Sequence, residues 1–143
     1  MRYTFTNPQR CVAGTIGEPG ERAFFIQARS DNRVISVALE KAQVQAVANR
    51  LDLMIAEVRK ASPLAIVEAI AVDDAPLETP VDEEFQVGAI SLAWNDETEL
   101  VVLELYELED DEDESEGSVL EINFSLGMAA AFAMRSKALV NAG

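Results

Sequence analysis

Histidine is absent from all 143 residues, and Cys11 is the only cysteine. An intramolecular disulfide needs a second thiol, a His/Cys metal site needs imidazoles or further thiolates, and Ser-His-Asp or Cys-His catalysis needs the imidazole base. All of these are excluded within the chain, and no metal-ligating or catalytic residue is assigned. Carboxylate and lysine chemistry stay open. Cys11 opens the apolar run "CVAGTIG", where a thiol serves as a small hydrophobe.

Long apolar runs are missing too. The opening "MRYTFTNPQR" has no signal-peptide core, and no stretch approaches the roughly eighteen apolar residues of a membrane helix. The expectation is a cytoplasmic protein with no membrane partner. Basic residues are scarce, 11 against 26 acidic ones for a formal charge of −15, and none occurs from Glu68 to Glu121. Such a surface repels a phosphate backbone, so DNA and RNA are not expected as partners. The first sixty residues are nearly balanced, which leaves the chain electrically polarised. Self-association stays open.

What is present is globular: 49% hydrophobic and 26% charged residues suit one domain over residues 1–143, large enough to bury a core unaided. One stretch tests for nucleotide binding. "RCVAGTIGEPGERAFF" carries three glycines, but a Walker loop needs lysine and a hydroxyl after its last glycine, and Glu21 and Arg22 follow Gly20. The dinucleotide spacing does not fit either. Glu18-Pro19-Gly20-Glu21 has proline and glycine where a type II turn wants them, and "RAFFIQA" beyond it reads as a strand, so a β-hairpin is expected.

Further along, "RVISVAL" reads as a third strand. Apolar residues at three-and-four spacing then mark a helix from Glu40 to about Lys60, closed by Pro63. Three prolines between Ala61 and Asp82 predict an irregular crossover that returns the chain to the sheet. Strand-like runs "FQVGAISLAW", "LVVLELYEL" and "SVLEINF" follow, then a helix from Ser125 to Val140 with Ser125 as cap. The order repeats, and so do residues: Gly14-Thr15-Ile16 matches Gly88-Ala89-Ile90, Phe24-Phe25-Ile26 matches Val101-Val102-Leu103, and Ala46 to Arg50 matches Ala131 to Arg135. The prediction is an α+β fold, a mainly antiparallel sheet of two strand-strand-strand-helix units with both helices packed on it. The units span residues 10–60 and 83–141, joined by the crossover 61–82, and internal duplication accounts for them.

Two local features invite a site. Glu112, Glu114, Glu116, Gly117 and Val119 fall in EF-hand register, but Asn123 holds the twelfth position and the flanks read as strands. Glu107 to Gly117 is therefore expected to be a solvated, mobile hairpin tip without a calcium site. Asn123-Phe124-Ser125 matches a glycosylation sequon by chance. The other feature is basic: Arg22, Arg29 and Lys41, with Glu40 at the positive end of the first helix, are the candidate binding residues for an anion or an acidic partner.

The stretches "RCVAGTIGEPGERAFFIQAR", "ISVALEKAQVQAVANRLD" and "EEFQVGAISLAW" resemble an uncharacterised family of actinobacterial proteins, over essentially the whole chain. Longer members of that family continue into a tail of the form CPxCGxPxxPxGHxC, which looks like a zinc knuckle. This chain stops at Asn141-Ala142-Gly143, so the resemblance implies zinc only through a tail not present here, and no other cofactor. It implies no established activity. The reading is a non-catalytic interaction module for a protein partner; the alternative is a small-molecule or anion-binding enzyme using carboxylate or lysine chemistry.

Overall fold

A computed structural model describes residues 1–110, 112 and 116–142. Among them the elements run β1 (Arg2–Thr6), β2 (Arg10–Ile16), β3 (Ala23–Ser30), β4 (Arg33–Leu39), α1 (Lys41–Ala61), β5 (Glu83–Asn95), β6 (Leu100–Glu107), β7 (Val119–Phe124) and α2 (Leu126–Asn141). The strands form a seven-stranded sheet in the order β1-β7-β6-β5-β4-β3-β2. Pairing is antiparallel except where β4 meets β5 and where β1 meets β7. The fold is α+β.

The glycine-rich stretch is a hairpin. β2 and β3 pair from Arg10 opposite Arg29 to Ile16 opposite Ala23. At its turn Gly20 has φ +90°, a value that glycine adopts without steric cost, and the Glu21 amide donates to the Glu18 carbonyl at 2.9 Å.

Both helices begin within a residue of the predicted starts. At α1 the Gln43 side chain accepts the Glu40 amide at 2.7 Å while its own amide donates to the Val87 and Gly88 carbonyls of β5, tying the helix start to a strand far along the chain. Arg59 and Lys60 sit in its last turn, where the negative end of the helix dipole favours cations. At α2 the Ser125 hydroxyl accepts the Met128 amide at 3.2 Å, which satisfies an otherwise orphaned donor.

Period-two alternation places one face of every central strand in a shared core. Phe24, Ile26, Val37, Leu39, Val101, Leu103, Leu105, Leu120, Ile122 and Phe124 meet Val44, Val47 and Leu51 of α1 and Ala129, Phe132 and Ala133 of α2 there. Phe124 and Phe132 meet edge to face at 6.1 Å, the geometry that aromatic quadrupoles prefer.

The opposite sheet face differs between its two halves. Over β2 and β3 it is covered: Val12 and Phe25 bury Leu77 from the crossover between α1 and β5. That crossover contains neither helix nor strand, in keeping with its prolines. Over β6, β7 and β1 the same face carries Glu104, Glu121 and Arg2, with the guanidinium bridging both carboxylates at 2.8 and 2.6 Å.

β1 was not among the strands anticipated from the sequence, because "RYTFT" buries only Phe5 fully. Its place is set by parallel pairing with β7 from Arg2 opposite Val119 to Thr6 opposite Asn123, and by Arg33, whose guanidinium lies 4.4 Å from the Phe5 ring centroid. Of the expected acidic tip, residues 111 and 113–115 lie outside the described residues.

Candidate functional site

A chain segment outside a sheet must still satisfy its backbone carbonyls, and the crossover does so largely with arginines. Arg10, on β2, grips Asp73 with two nitrogens, Nε to Oδ2 at 2.7 Å and Nη2 to Oδ1 at 3.1 Å. The same Nη2 reaches the Ala75 and Pro76 carbonyls at 2.8 and 3.0 Å. Arg135, on α2, donates through Nε to the Ala13 carbonyl at 2.7 Å and through Nη1 to the Asp73 and Ala75 carbonyls at 2.6 and 2.7 Å. One carbonyl, that of Ala75, therefore receives both guanidiniums, and the two heads lie side by side.

The next residues along the crossover are held by β3. The Gln27 amide nitrogen donates to the Glu78 carbonyl at 3.1 Å and its oxygen accepts the Glu78 amide at 2.9 Å, so one side chain imitates a strand neighbour. Arg29 pairs with the Glu78 carboxylate at 2.8 Å.

Beside this clamp lies a pocket of about 200 Å³, with Arg10, Cys11, Asp73, Met128, Phe132 and Arg135 among its walls. Its electrostatics follow from proximity. The hydrogen bonds from Arg10 hold the Asp73 carboxyl below the usual carboxylate range, against a smaller opposing effect of burial. Burial lowers the Arg135 pKa, and the neighbouring Arg10 charge lowers it further. Cys11, fully enclosed, is pushed up to about 12, so it is a thiol at neutral pH and a poor nucleophile.

A second concavity, about 340 Å³, lies where the first part of the crossover passes β5 and the start of α2. Leu64, Ile66, Trp94 and Leu126 contribute apolar walls, and Glu68 and Glu99 contribute acids. Leu64 and Ile66 are 94% and 82% exposed, while their neighbours Ala65 and Val67 pack against the core.

Of the residues singled out in the sequence, Arg22, Glu40 and Lys41 lie just beyond the Phe24–Leu39 pair at one end of the β3-β4 ladder, and Arg29 lies towards the other end. Arg22 precedes β3 and Arg29 lies near its other end, so about seven strand residues, roughly 23 Å, separate them. Arg29 is engaged with Glu78. Glu40 caps α1, and Lys41 is exposed at its first position. Among the described residues Arg22 and Lys41 form no ion pair.

Sequence reasoning missed Arg10, Asp73 and Arg135. One signal was available: Arg135 is a charged residue in the middle of the apolar "GMAAAFAMRSKALV", and a charge among core positions calls for a partner.

A family model described as "Protein of unknown function (DUF3090)" matches residues 3–143. The chain belongs to the DUF3090 family. No curated protein and no solved structure matches this DUF3090 chain, so the reading of its function rests on its own residues.

Proposed function

We propose that this DUF3090 protein is a non-catalytic interaction module that takes a basic, apolar protein segment along residues 64–68 of its crossover. The observation that carries this reading is the exposure of Leu64 and Ile66, 94% and 82%, on a segment whose alternate residues Ala65 and Val67 anchor in the core. That alternation is the pattern of a strand with one face covered and one edge unclaimed. The Leu64, Ile66 and Val67 amides donate to no backbone carbonyl among the described residues. An extended partner could pair with such an edge while its side chains reach the concavity between Trp94 and Leu126. Glu68 and Glu99 at that concavity, and the overall charge of −15, favour a basic partner through encounter rate and orientation.

A docking role also suits the resemblance to actinobacterial proteins with a zinc-knuckle tail, since a metal knuckle presents a second contact surface. Descent of the two strand-strand-strand-helix units from one ancestor is part of the same reading. It is supported by burial phase: Val47 and Phe132 are both core residues, as are Phe24 and Val101, and Ile26 and Leu103.

The alternative, an anion- or small-molecule-binding enzyme, needs Arg22, Arg29, Glu40 and Lys41 around one cavity. The experiment that separates the two compares capture of a basic partner by wild type with capture by a Leu64→Asp/Ile66→Asp variant and an Arg22→Ala/Lys41→Ala variant, at low and moderate salt. Salt-sensitive capture that the first variant loses and the second keeps is the expected result. Equal capture by all three proteins overturns the reading.

A further inference from the structure

The pocket between α2 and β2 is lined by two guanidiniums whose donors the clamp beside it does not exhaust. Arg10 and Arg135 share one carboxylate, Asp73, at 2.7 and 3.4 Å, while the remaining acceptors are neutral carbonyls. Asp74 adds a weaker pull on Arg135. The two guanidinium side chains are only 11% and 12% exposed, so the clamp holds both heads in place. Each head still has a donor to offer. Hydrogen bonds use Nε and Nη2 of Arg10, and Nε and Nη1 of Arg135. Nη1 of Arg10 and Nη2 of Arg135 donate to nothing among the described residues, and neither is sealed from solvent.

We propose that this pocket binds a short aliphatic monocarboxylate. Its carboxylate is held by Nη1 of Arg10 and Nη2 of Arg135, and its tail lies against Phe132 and Met128. Three observations select that chemistry. Two guanidiniums that already stand beside Asp73 and Asp74 tolerate little further negative charge, which suits a monoanion better than a dianionic phosphate. Adjacent planar guanidiniums suit the planar carboxylate. The pocket, about 200 Å³, falls below the few hundred Å³ usual for metabolite sites, and its apolar walls suit a chain of a few carbons. Because Asp73 belongs both to the crossover and to the clamp, an occupied pocket also fastens the crossover over α2. The site is separate from the Leu64 and Ile66 edge, so either assignment can fail alone.

The test is a titration of the full chain with butyrate, and separately with inorganic phosphate and propylamine. It is followed through the Nε–H signals of Arg10 and Arg135 and the Met128 methyl. Butyrate is expected to shift all three saturably with a Kd of about 1 mM or tighter, and the other two probes to shift none of them. Arg135→Lys, which keeps the charge and loses the planar fork, should weaken binding about tenfold or more. Ala131→Leu, which fills the pocket from its wall while leaving every clamp residue unchanged, should abolish it. Saturation by phosphate in preference to butyrate, no saturable shift at all, or undiminished binding in folded Ala131→Leu each overturns the proposal. Should that variant not fold, undiminished binding by Arg135→Lys overturns it.

Discussion

The molecule contains two helix-to-strand seams that can be compared position by position. In one, Ala46, Val47 and Arg50 of α1 lie against Ile90 and Leu92 of β5, leaving about 50 Å³. In the other, Ala131, Phe132 and Arg135 of α2 lie against β2 and leave about 200 Å³. α1 thus lines a seam with β5, and α2 lines one with β2. The helical pattern is the same, yet Arg50 is exposed and makes no hydrogen bond among the described residues, whereas Arg135 is drawn in and makes four. The crossover accounts for the difference: it passes one seam, bringing carbonyls and Asp73, and leaves the other open. What an arginine does at a helix position is decided by the chain laid over it rather than by the helix.

The contrast can be broken most directly at the arginines themselves. Arg135→Ala strands the Ala13 and Asp73 carbonyls, leaves that of Ala75 to Arg10 alone, and should cost about 3 kcal/mol, at the low end for a buried charge network, whereas Arg50→Ala should cost under about 0.5 kcal/mol. Urea unfolding midpoints of the two variants measure both, and equal midpoints would mean that the clamp adds nothing. A smaller effect is expected at the covered outer face. Leu77→Ala empties a site that is 5% exposed and should lose about 2 kcal/mol, against about 1 kcal/mol or less for Val102→Ala on the half-buried outer face of β6.

Smaller still is Gly127→Ala. A Cβ there would stand 2.6 Å from the Glu68 carbonyl oxygen, so the crossover must move aside. Gly127 is the second residue of α2, so alanine recovers less than the about 1 kcal/mol it gains in a helix interior, and the strain is offset only in part. The net loss should be about 1 kcal/mol, accompanied by faster hydrogen exchange at the Ile70 amide, which bonds to the same carbonyl at 3.0 Å. Unchanged exchange would show that the crossover is not held by this contact.

The smallest change concerns acid. Asp73 has its folded pKa below the unfolded value, chiefly through the Arg10 hydrogen bonds. Its contribution is therefore fully present above the unfolded carboxylate range, about pH 4, and is lost as pH falls through the folded pKa. Between pH 5 and pH 3, taken as roughly bracketing that range, wild type should lose slightly more stability than Asp73→Asn. Parallel pH profiles would remove Asp73 from the acid response.

Much of the fold was legible because its signals are local. Pro19 and Gly20 announce a hairpin turn, Val44, Val47, Leu51, Ile55 and Val58 repeat at helical spacing, and Ser125 is a capping residue. What escaped depends on contacts distant in sequence. β1 is a strand because β7 lies beside it, and its own residues say little. The parallel junction of β4 with β5 follows from where the crossover lands, with Ser36 opposite Glu83. The clamp was missed for the same reason: Arg10 and Asp73 are 63 residues apart, and Arg135 and Ala13 are 122 apart. Of the candidates Arg22, Arg29, Glu40 and Lys41, β3 sets Arg29 apart from the other three.

β1 has one more effect, on the order of events during synthesis. It leaves the ribosome before the other strands, yet the strand it pairs with begins at Val119, so Phe5 has no β7 to shelter beside until all the strands between have been made. The β2-β3-β4 meander can form in the meantime from neighbouring residues, whereas the sheet's far edge waits for the last strand. Closing so distant a pair is the slow kind of contact, and of the strands in the sheet β1 is made first and paired last.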